Sequence, residues 1–274
     1  MNKKLSTCFL VSVYINDSLE DFKKAINSCL NQTVLADKII IVFDGKVKES
    51  IDKFCNSIQS QVKIKLVKYP KNVGLGSALN KGLSFVEEDI VIRMDSDDIS
   101  RKNRVEKIIE FFNKNQDIGI VGSYISEFKE IKGDIEMIRK VPLNSDLILK
   151  KLKFSCPFNH VSVAFNYKFL PKNPYQINYN RLEDYPTWYS LLVKYNLKSS
   201  NIGEVLVDVK LGTSFLDRRT GFILFKSWFK VYKIMLNDGY ISFFIFIRNM
   251  IVRFIQFNLL PKKILLILYT LNRK

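Results

Sequence analysis

The chain is poor in several residue types, and each shortage narrows what it can be. Its four cysteines are Cys8, Cys29, Cys55 and Cys156, and none forms a Cys-x-x-Cys pair. That removes the spacing expected of structural zinc or a dithiol redox motif. Three of the four lie in apolar or helix-like runs, where a free cysteine is a small hydrophobe. Cysteine usage therefore reads as that of a reduced, cytosolic protein. The single histidine, His160, reads first as a hydrogen-bonding residue rather than a ligand. Long apolar runs are also lacking. The basic start Met1-Asn2-Lys3-Lys4 mimics a signal peptide, but the run after it stops at Asn16-Asp17 without a small-residue cleavage site, so it reads as a first strand. Phe243 to Ile255 is strongly apolar, yet Arg248, Asn249, Arg253 and Gln256 interrupt it, and a spanning helix needs ~20 apolar residues. Internal repeats and low-complexity linkers are absent. Negative charge is scarce: 27 Asp and Glu stand against 43 Lys and Arg, a formal charge of +16. Such a surplus asks for an anionic partner, whether nucleic acid, acidic lipid or a phosphorylated substrate.

What is present is a regular alternation. Cys8 to Tyr14, Lys38 to Phe43, Val62 to Val67, Asp89 to Met94 and Ile118 to Ile125 are apolar runs. Between them, Leu19 to Leu30, Val47 to Ile58, Gly74 to Phe85 and Arg104 to Asn113 have helical spacing. Solid Ile/Val strands alternating with helices predict an α/β fold with a mostly parallel sheet flanked by helices. Ligands then bind beyond the carboxyl ends of the strands. Asn16-Asp17, Asp44 and Asp95 to Asp98 all fall at such ends. After about residue 126 the alternation fades. Glu127 to Lys140 reads as a charged hairpin or loop, 171 to 181 as a substrate loop, and Leu182 to Tyr195 as a helix opening with Glu183-Asp184.

The densest signal is Val91-Ile92-Arg93-Met94-Asp95-Ser96-Asp97-Asp98. Three carboxylates within four residues at one strand end repel one another unless a cation lies among them. Hard divalent ions favour such oxygen ligands. The competing reading is a polar turn that caps the next helix. Gly74-Leu75-Gly76-Ser77-Ala78-Leu79-Asn80 suggests a dinucleotide fingerprint, but it lacks the third glycine and follows the third strand. Its glycines still allow backbone to approach a phosphate or sugar.

Taken in order, a longer set of pieces makes a family pattern. These are Ser12-Val13-Tyr14, Asn31-Gln32-Thr33, Ala36-Asp37, Val42-Phe43-Asp44-Gly45, Asn72-Val73-Gly74-Leu75-Gly76, Ala78-Leu79-Asn80, Arg93 to Asp98, Asn159-His160, Glu183-Asp184-Tyr185 and Arg218-Arg219. With them, about residues 7 to 221 resemble the inverting family 2 glycosyltransferases of GT-A fold, nearest to the bacterial branch that builds capsule, exopolysaccharide and O-antigen. The resemblance implies a catalytic domain over 1–221, with a nucleotide-sugar half to about 125 and an acceptor half from about 126, followed by a helical region over 222–274. It implies that Tyr14, Asn16, Asp44, Gly74, Gly76 and Asp95 bind the nucleotide-sugar, with a UDP-sugar favoured. Asp97, helped by Asp95, would hold Mn²⁺ or Mg²⁺ on the diphosphate. Asp98 is either part of that site or a cap of the following helix. Asp184 would be the general base, Glu183 would help orient Asp184 or the acceptor, and Asn159 and His160 would meet the acceptor. Arg218 and Arg219 would close over the diphosphate, where guanidinium forks suit phosphate oxygens.

Beyond residue 222, Phe225, Trp228, Phe229, Tyr232, Met235 and Leu236 share one helical face and Lys226, Lys230 and Lys233 another. Basic amphipathic helices of this kind lie in a membrane interface. Packing on the catalytic body, or a dimer contact, would bury the same faces. The implied protein is a cytoplasmic enzyme, peripheral on the inner membrane face, with a lipid-linked oligosaccharide acceptor and no nucleic acid. Two other readings compete. A non-catalytic membrane- or nucleic-acid-binding module explains the charge but not the strand-end carboxylates. A sugar-phosphate nucleotidylyltransferase needs a Gly-rich, Arg-containing loop where Tyr14-Ile15-Asn16-Asp17 stands.

Overall fold

The computed structural model describes residues 5–130, 132–135, 137–179, 182–212 and 221–271. Its centre is a sheet whose first half is parallel. Strands β1 (Thr7–Val13), β2 (Lys38–Phe43), β3 (Lys63–Lys68) and β4 (Ile90–Met94) lie in the order β3-β2-β1-β4. β1, β2 and β4 are almost wholly buried because helices cover both sheet faces, which is why they read as unbroken Ile and Val. β3 is the edge, and there Lys63, Lys65 and Lys68 replace the apolar run and disfavour pairing with another chain.

Pairing register positions the site. Val13 lies opposite Phe43, and Val11 opposite Met94. The residues that follow, Tyr14, Asp44 and Asp95, therefore emerge on one edge of the sheet, as the sequence leads one to expect.

The second half is mixed. β5 (Ile99–Ser100), β6 (Ile120–Phe128), β7 (Met137–Arg139), β8 (Ala164–Asn166) and β9 (Ser199–Lys210) complete the order β4-β8-β6-β9-β5, with β7 on β6. β8 is antiparallel to both β4 and β6, whereas β9 is parallel to β6. The β6–β7 pair is the hairpin expected over Glu127 to Lys140. β9 has no counterpart in the sequence reading. Its run, Ser-Ser-Asn-Ile-Gly-Glu before Val-Leu-Val, is half polar because only part of it is covered.

Helices α1 (Leu19–Leu30), α2 (Glu49–Ser57), α3 (Leu75–Leu83) and α4 (Arg104–Lys114) match the expected segments within a few residues. Ser18 caps α1 by accepting the Asp21 amide, and Phe22, Ala25, Ile26 and Cys29 form its buried stripe. α5 (Ser145–Leu152) was not anticipated; Asn144 caps it, and only Ile148 and Leu152 are buried. α6 (Asp184–Tyr189) begins the helix expected at 182 and widens into a π turn over 190–194. Pro186 is tolerated because it sits in the first turn, where its missing N–H has no partner to lose.

The chain ends in α7 (Phe222–Asn237), α8 (Phe243–Phe254) and α9 (Lys262–Leu271). Alternate residues of each strand feed two cores. Phe9, Val11, Ile39 and Ile92 meet α1 and α4 on one side. Leu10, Ile40 and Val42 meet α3 on the other, in a cluster that continues through Phe158, Tyr185 and Trp188 to Leu224, Trp228, Val231, Tyr232 and Met235 of α7.

Candidate active site

Tyr14 and Asn16 are exposed in the turn after β1. The Tyr14 amide donates to Asp17 (3.0 Å), which holds that turn. Asp44 is placed differently from a free ligand group. It is only 5% exposed, and its carboxylate accepts from the Val73 amide (2.7 Å), the Gly74 amide (3.1 Å) and the Asn72 side chain (3.0 Å). Asp44 thus fixes the glycine loop to the sheet edge. Gly45 is required beside it: at φ +84°, an added Cβ would lie 2.5 Å from the Asn72 nitrogen. Gly74 (φ +86°) turns the loop into α3 in a conformation that other residues resist. Gly76 is buried, near Gln176 and Glu183.

The carboxylate cluster divides into three environments. Asp98 is 3% exposed, and its Oδ1 accepts the Lys210 amide (2.8 Å). Burial, then the charges of Asp97 and Asp95, raise its pKa. It points into the protein, tying the β4 loop to the end of β9. Asp95 is half-buried and ion-paired to Arg93, while Asp97 faces solvent. Asp17 approaches from the β1 turn, hydrogen-bonded to Ser96 and facing Asp95, and burial raises its pKa.

Among the described residues no three carboxylate, histidine or cysteine groups converge into a ready-made metal cage. That arrangement still fits Mg²⁺ or Mn²⁺, because such ions are commonly held by one or two carboxylates plus substrate phosphates and water. Asp97 and the outer oxygen of Asp95 offer that donor set, and the raised pKa values of Asp98 and Asp17 reflect burial and crowding of negative charge.

Two buried arginines underlie the cluster, and sequence reasoning gave neither a role. Arg93 is 2% exposed and carries the charge nearest Asp95. Arg104 is fully buried in α4, where it donates to the Arg93 and Val161 carbonyls (2.8 Å each) and lies over the Phe9 ring. Burial lowers its pKa to about 10. Arg93 was legible in principle, since a charged residue inside a buried strand needs a partner.

Beside the glycine loop stands the start of α6. Asp184 Oδ1 accepts the Tyr185 amide (2.8 Å), and its Oδ2 accepts from the Cys156 thiol (3.3 Å). Burial and the Asp184 charge push the Cys156 thiol well up, so it remains a neutral donor. Glu183 is half-buried, and burial raises its pKa. With Gly74, Gly76, Gln176 and Tyr179 it lines a cleft of ≈ 340 Å³. The segment before α6 is anchored twice. Asn80 pairs with both backbone groups of Tyr175 (2.8 and 2.9 Å), and Thr187 Oγ1 accepts the Gln176 amide (2.9 Å).

His160 and Asn159 differ in what they can do. His160 Nε2 lies 3.3 Å from the Tyr175 hydroxyl, with its ring against Trp188. Burial, then the Arg93 charge, hold its pKa well below the ordinary histidine value. Asn159 is 1% exposed and donates to the Ser123 and Arg139 carbonyls (2.8 and 3.3 Å). Its amide nitrogen therefore ties the wall together, while its buried Oδ1 has no hydrogen-bond partner among the described residues. Arg218 and Arg219 lie outside the described residues.

The tail packs with one face and leaves another open. Trp228 stacks on Tyr185 (4.4 Å), and the Arg253 guanidinium covers Trp228 from α8 at 3.9 Å. Phe244, at 85% exposure, together with Phe243, Ile251 and Ile267, remains uncovered. Among the described residues no helix is long and apolar enough to cross a membrane.

Comparison with known proteins places these features in a wider group. The profile of "Glycosyl transferase family 2" matches residues 8–171. A UDP-Gal:alpha-D-GlcNAc-diphosphoundecaprenol beta-1,3-galactosyltransferase of Escherichia coli is 38% identical over 92% of this chain and 90% of its own length. The amylovoran biosynthesis glycosyltransferase AmsE of Erwinia amylovora is 30% identical over 97% and 98% of the two chains. In fold, the chain is similar to TarS residues 1–349 of S. aureus, solved with UDP-GlcNAc, with a TM-score of 0.69 at 14% identity, covering 92% of this chain and 73% of that one.

Proposed function

Because this chain belongs to glycosyl transferase family 2, we propose that it moves a sugar from a UDP-sugar, with inversion, to a hydroxyl of a lipid-linked diphospho-sugar acceptor. The reaction would serve bacterial surface polysaccharide synthesis at the cytoplasmic face of the membrane. The observation that carries this reading is a grouping of carboxylates from two parts of the chain. Asp95, at the end of β4, and Glu183 and Asp184, at the start of α6, lie within electrostatic reach of one another around Tyr175.

Donor binding follows from the sheet edge. Tyr14 and Asn16 take the nucleoside, beside the loop that Asp44 holds through Asn72, Val73 and Gly74. Asp97, with Asp95, would hold a divalent cation, which supplies charge neutralisation to the departing nucleoside diphosphate. Arg93 orients Asp95 through their ion pair. Arg218 and Arg219, outside the described residues, would add guanidinium contacts to the diphosphate.

Asp184 takes the proton from the acceptor hydroxyl as that oxygen attacks the anomeric carbon from the side opposite the leaving group. It is suited to this because both of its oxygens are already oriented, one by the Tyr185 amide and one by the Cys156 thiol. Glu183 lines the cleft beside it and positions the acceptor, with His160 and Tyr175 forming an aromatic wall. Asn159 holds that wall from behind.

The test is release or transfer of sugar from UDP-sugars with Mn²⁺ or Mg²⁺ present and then removed by chelation. Asp184→Asn should lower kcat by about 10²–10⁴-fold while leaving donor affinity in place. Asp97→Ala should abolish the metal dependence along with turnover. Undiminished turnover in either variant rejects that assignment. NMR of the product's anomeric centre checks inversion, and retained configuration would reject it.

A further inference from the structure

The carboxylates of this site pose a problem for the acceptor. Glu183 lines the cleft and lies within electrostatic reach of Asp184 and Asp95, so an anionic acceptor meets like charge unless cations stand at the entrance. Such cations stand on α7. Lys230 Nζ lies 4.7 Å from the centre of the Tyr179 ring, and Tyr179 lines the same cleft as Gly74, Gly76 and Glu183. Lys226 is one turn earlier on the same face, over the exposed ring of Phe222. Four residues of helix rise about 6 Å, so two flexible ammonium groups can meet adjacent phosphates. No acidic residue interrupts α7 from Phe222 to Asn237. The opposite face, with Leu224, Trp228, Val231 and Tyr232, is locked in the core, so Lys226 and Lys230 are fixed outward.

Beside the lysines the surface is apolar. Ile223 and Phe229 are exposed on α7, and Phe229 meets Phe246 of α8 at 5.9 Å, which carries the apolar surface on to Phe243 and Phe244. A compact cationic pair at the mouth of a cleft, continuous with exposed aromatic and aliphatic side chains, complements one kind of ligand: two phosphates joined to a long hydrocarbon.

We propose that Lys226 and Lys230 of α7 bind the diphosphate of the lipid-linked acceptor, with the first part of its hydrocarbon chain lying along Phe229 and the apolar face of α8. The assignment rests on the reaction proposed above and adds where the acceptor's charged link sits. The sugar then points past Tyr179 toward Glu183 and Asp184.

The full chain, titrated by calorimetry with undecyl diphosphate in a chelating buffer without divalent metal, tests this. Wild type should bind, and Lys226→Ala/Lys230→Ala should bind about tenfold more weakly, as expected when charge-assisted contacts are lost. The control pair Lys63→Ala/Lys65→Ala, on the β3 edge, should match wild type. Vesicles of phosphatidylglycerol should bind wild type and the α7 pair within about twofold of one another. No binding by wild type, equal affinity in the α7 pair, an equal loss in the control pair, or a parallel tenfold loss on vesicles would overturn the assignment. Metal-dependent turnover of UDP-sugars, measured in parallel on wild type, separates the two levels. Absent turnover with lysine-dependent binding rejects the reaction and keeps the surface; turnover without such binding rejects the surface alone.

Discussion

His160 shows how a single side chain near the cleft reports on folding as well as on chemistry. Burial and the Arg93 charge keep its imidazole neutral in the folded protein, well below the ordinary value, which is about 6.5 in an unfolded chain. Below pH ~6.5 the unfolded state therefore takes up a proton that the folded state refuses. The contribution of His160 to stability is full above that pH and is lost as pH falls from there through the folded value. Asp98 and Glu183 act with opposite sign, since their pKa values are raised, so the informative quantity is a difference. The melting temperature of wild type minus that of His160→Gln should shrink between pH 7.5 and pH 5.5; a constant difference would contradict the buried, neutral imidazole. At this scale the sequence was legible for residue type and less so for role. The position of Asp44 at a strand end was readable, but its engagement by Asn72, Val73 and Gly74 depends on a loop thirty residues later. Asp98 reads in the sequence as metal ligand or cap; in the structure its Oδ1 accepts the Lys210 amide, on a strand that the apolar pattern did not reveal.

At the scale of elements, short polar ties hold the cleft. Asn80 of α3 makes a two-point contact with the Tyr175 backbone. Replacing it with alanine leaves a partly buried N–H and C=O unpaired and should cost about 1–3 kcal/mol. The readout is a lower urea midpoint and a raised KM for the acceptor, with the donor's KM little changed; an unaltered acceptor KM would mean that the 171–179 segment holds its place by other contacts. Elements whose cover is complete, such as β1, β2 and β4, declare themselves by unbroken Ile and Val. β9 does not. Its twelve residues pair with β6 across a register shift at Tyr124, and Glu204 pairs with Lys107 at the surface, so no two-residue or apolar period survives. α5 is hidden for a related reason, because eight residues with two buried side chains are too short to show a helical stripe.

For the whole molecule, the uncovered side of the tail sets a prediction about surfaces. Phe244 and Ile251 project from α8 without cover, at 85% and 55% exposure. In the peripheral-membrane reading they enter the interface. Phe244→Asp/Ile251→Asp should release the protein from anionic vesicles in sedimentation, with an unchanged melting temperature because neither residue supports the core. Retained binding would transfer the interaction to α9 or to the lysines. Trp228→Ala is the counterpart on the covered side. It removes the ring between Tyr185 and Arg253 and should cost about 3–5 kcal/mol, lowering the melting temperature while vesicle binding persists.

The Tyr185–Trp228 stack has a further consequence for how such enzymes can be divided. Tyr185 follows the proposed base directly in the chain, and its ring rests on a helix that begins at Phe222. A cut at the apparent border near residue 221 would thus run through a hydrophobic core rather than between two bodies. Recombining the first 221 residues with the tail of a relative would succeed only where the incoming helix carries a matching aromatic face, so the segment that bears Asp184 and the tail would have to be exchanged as one unit.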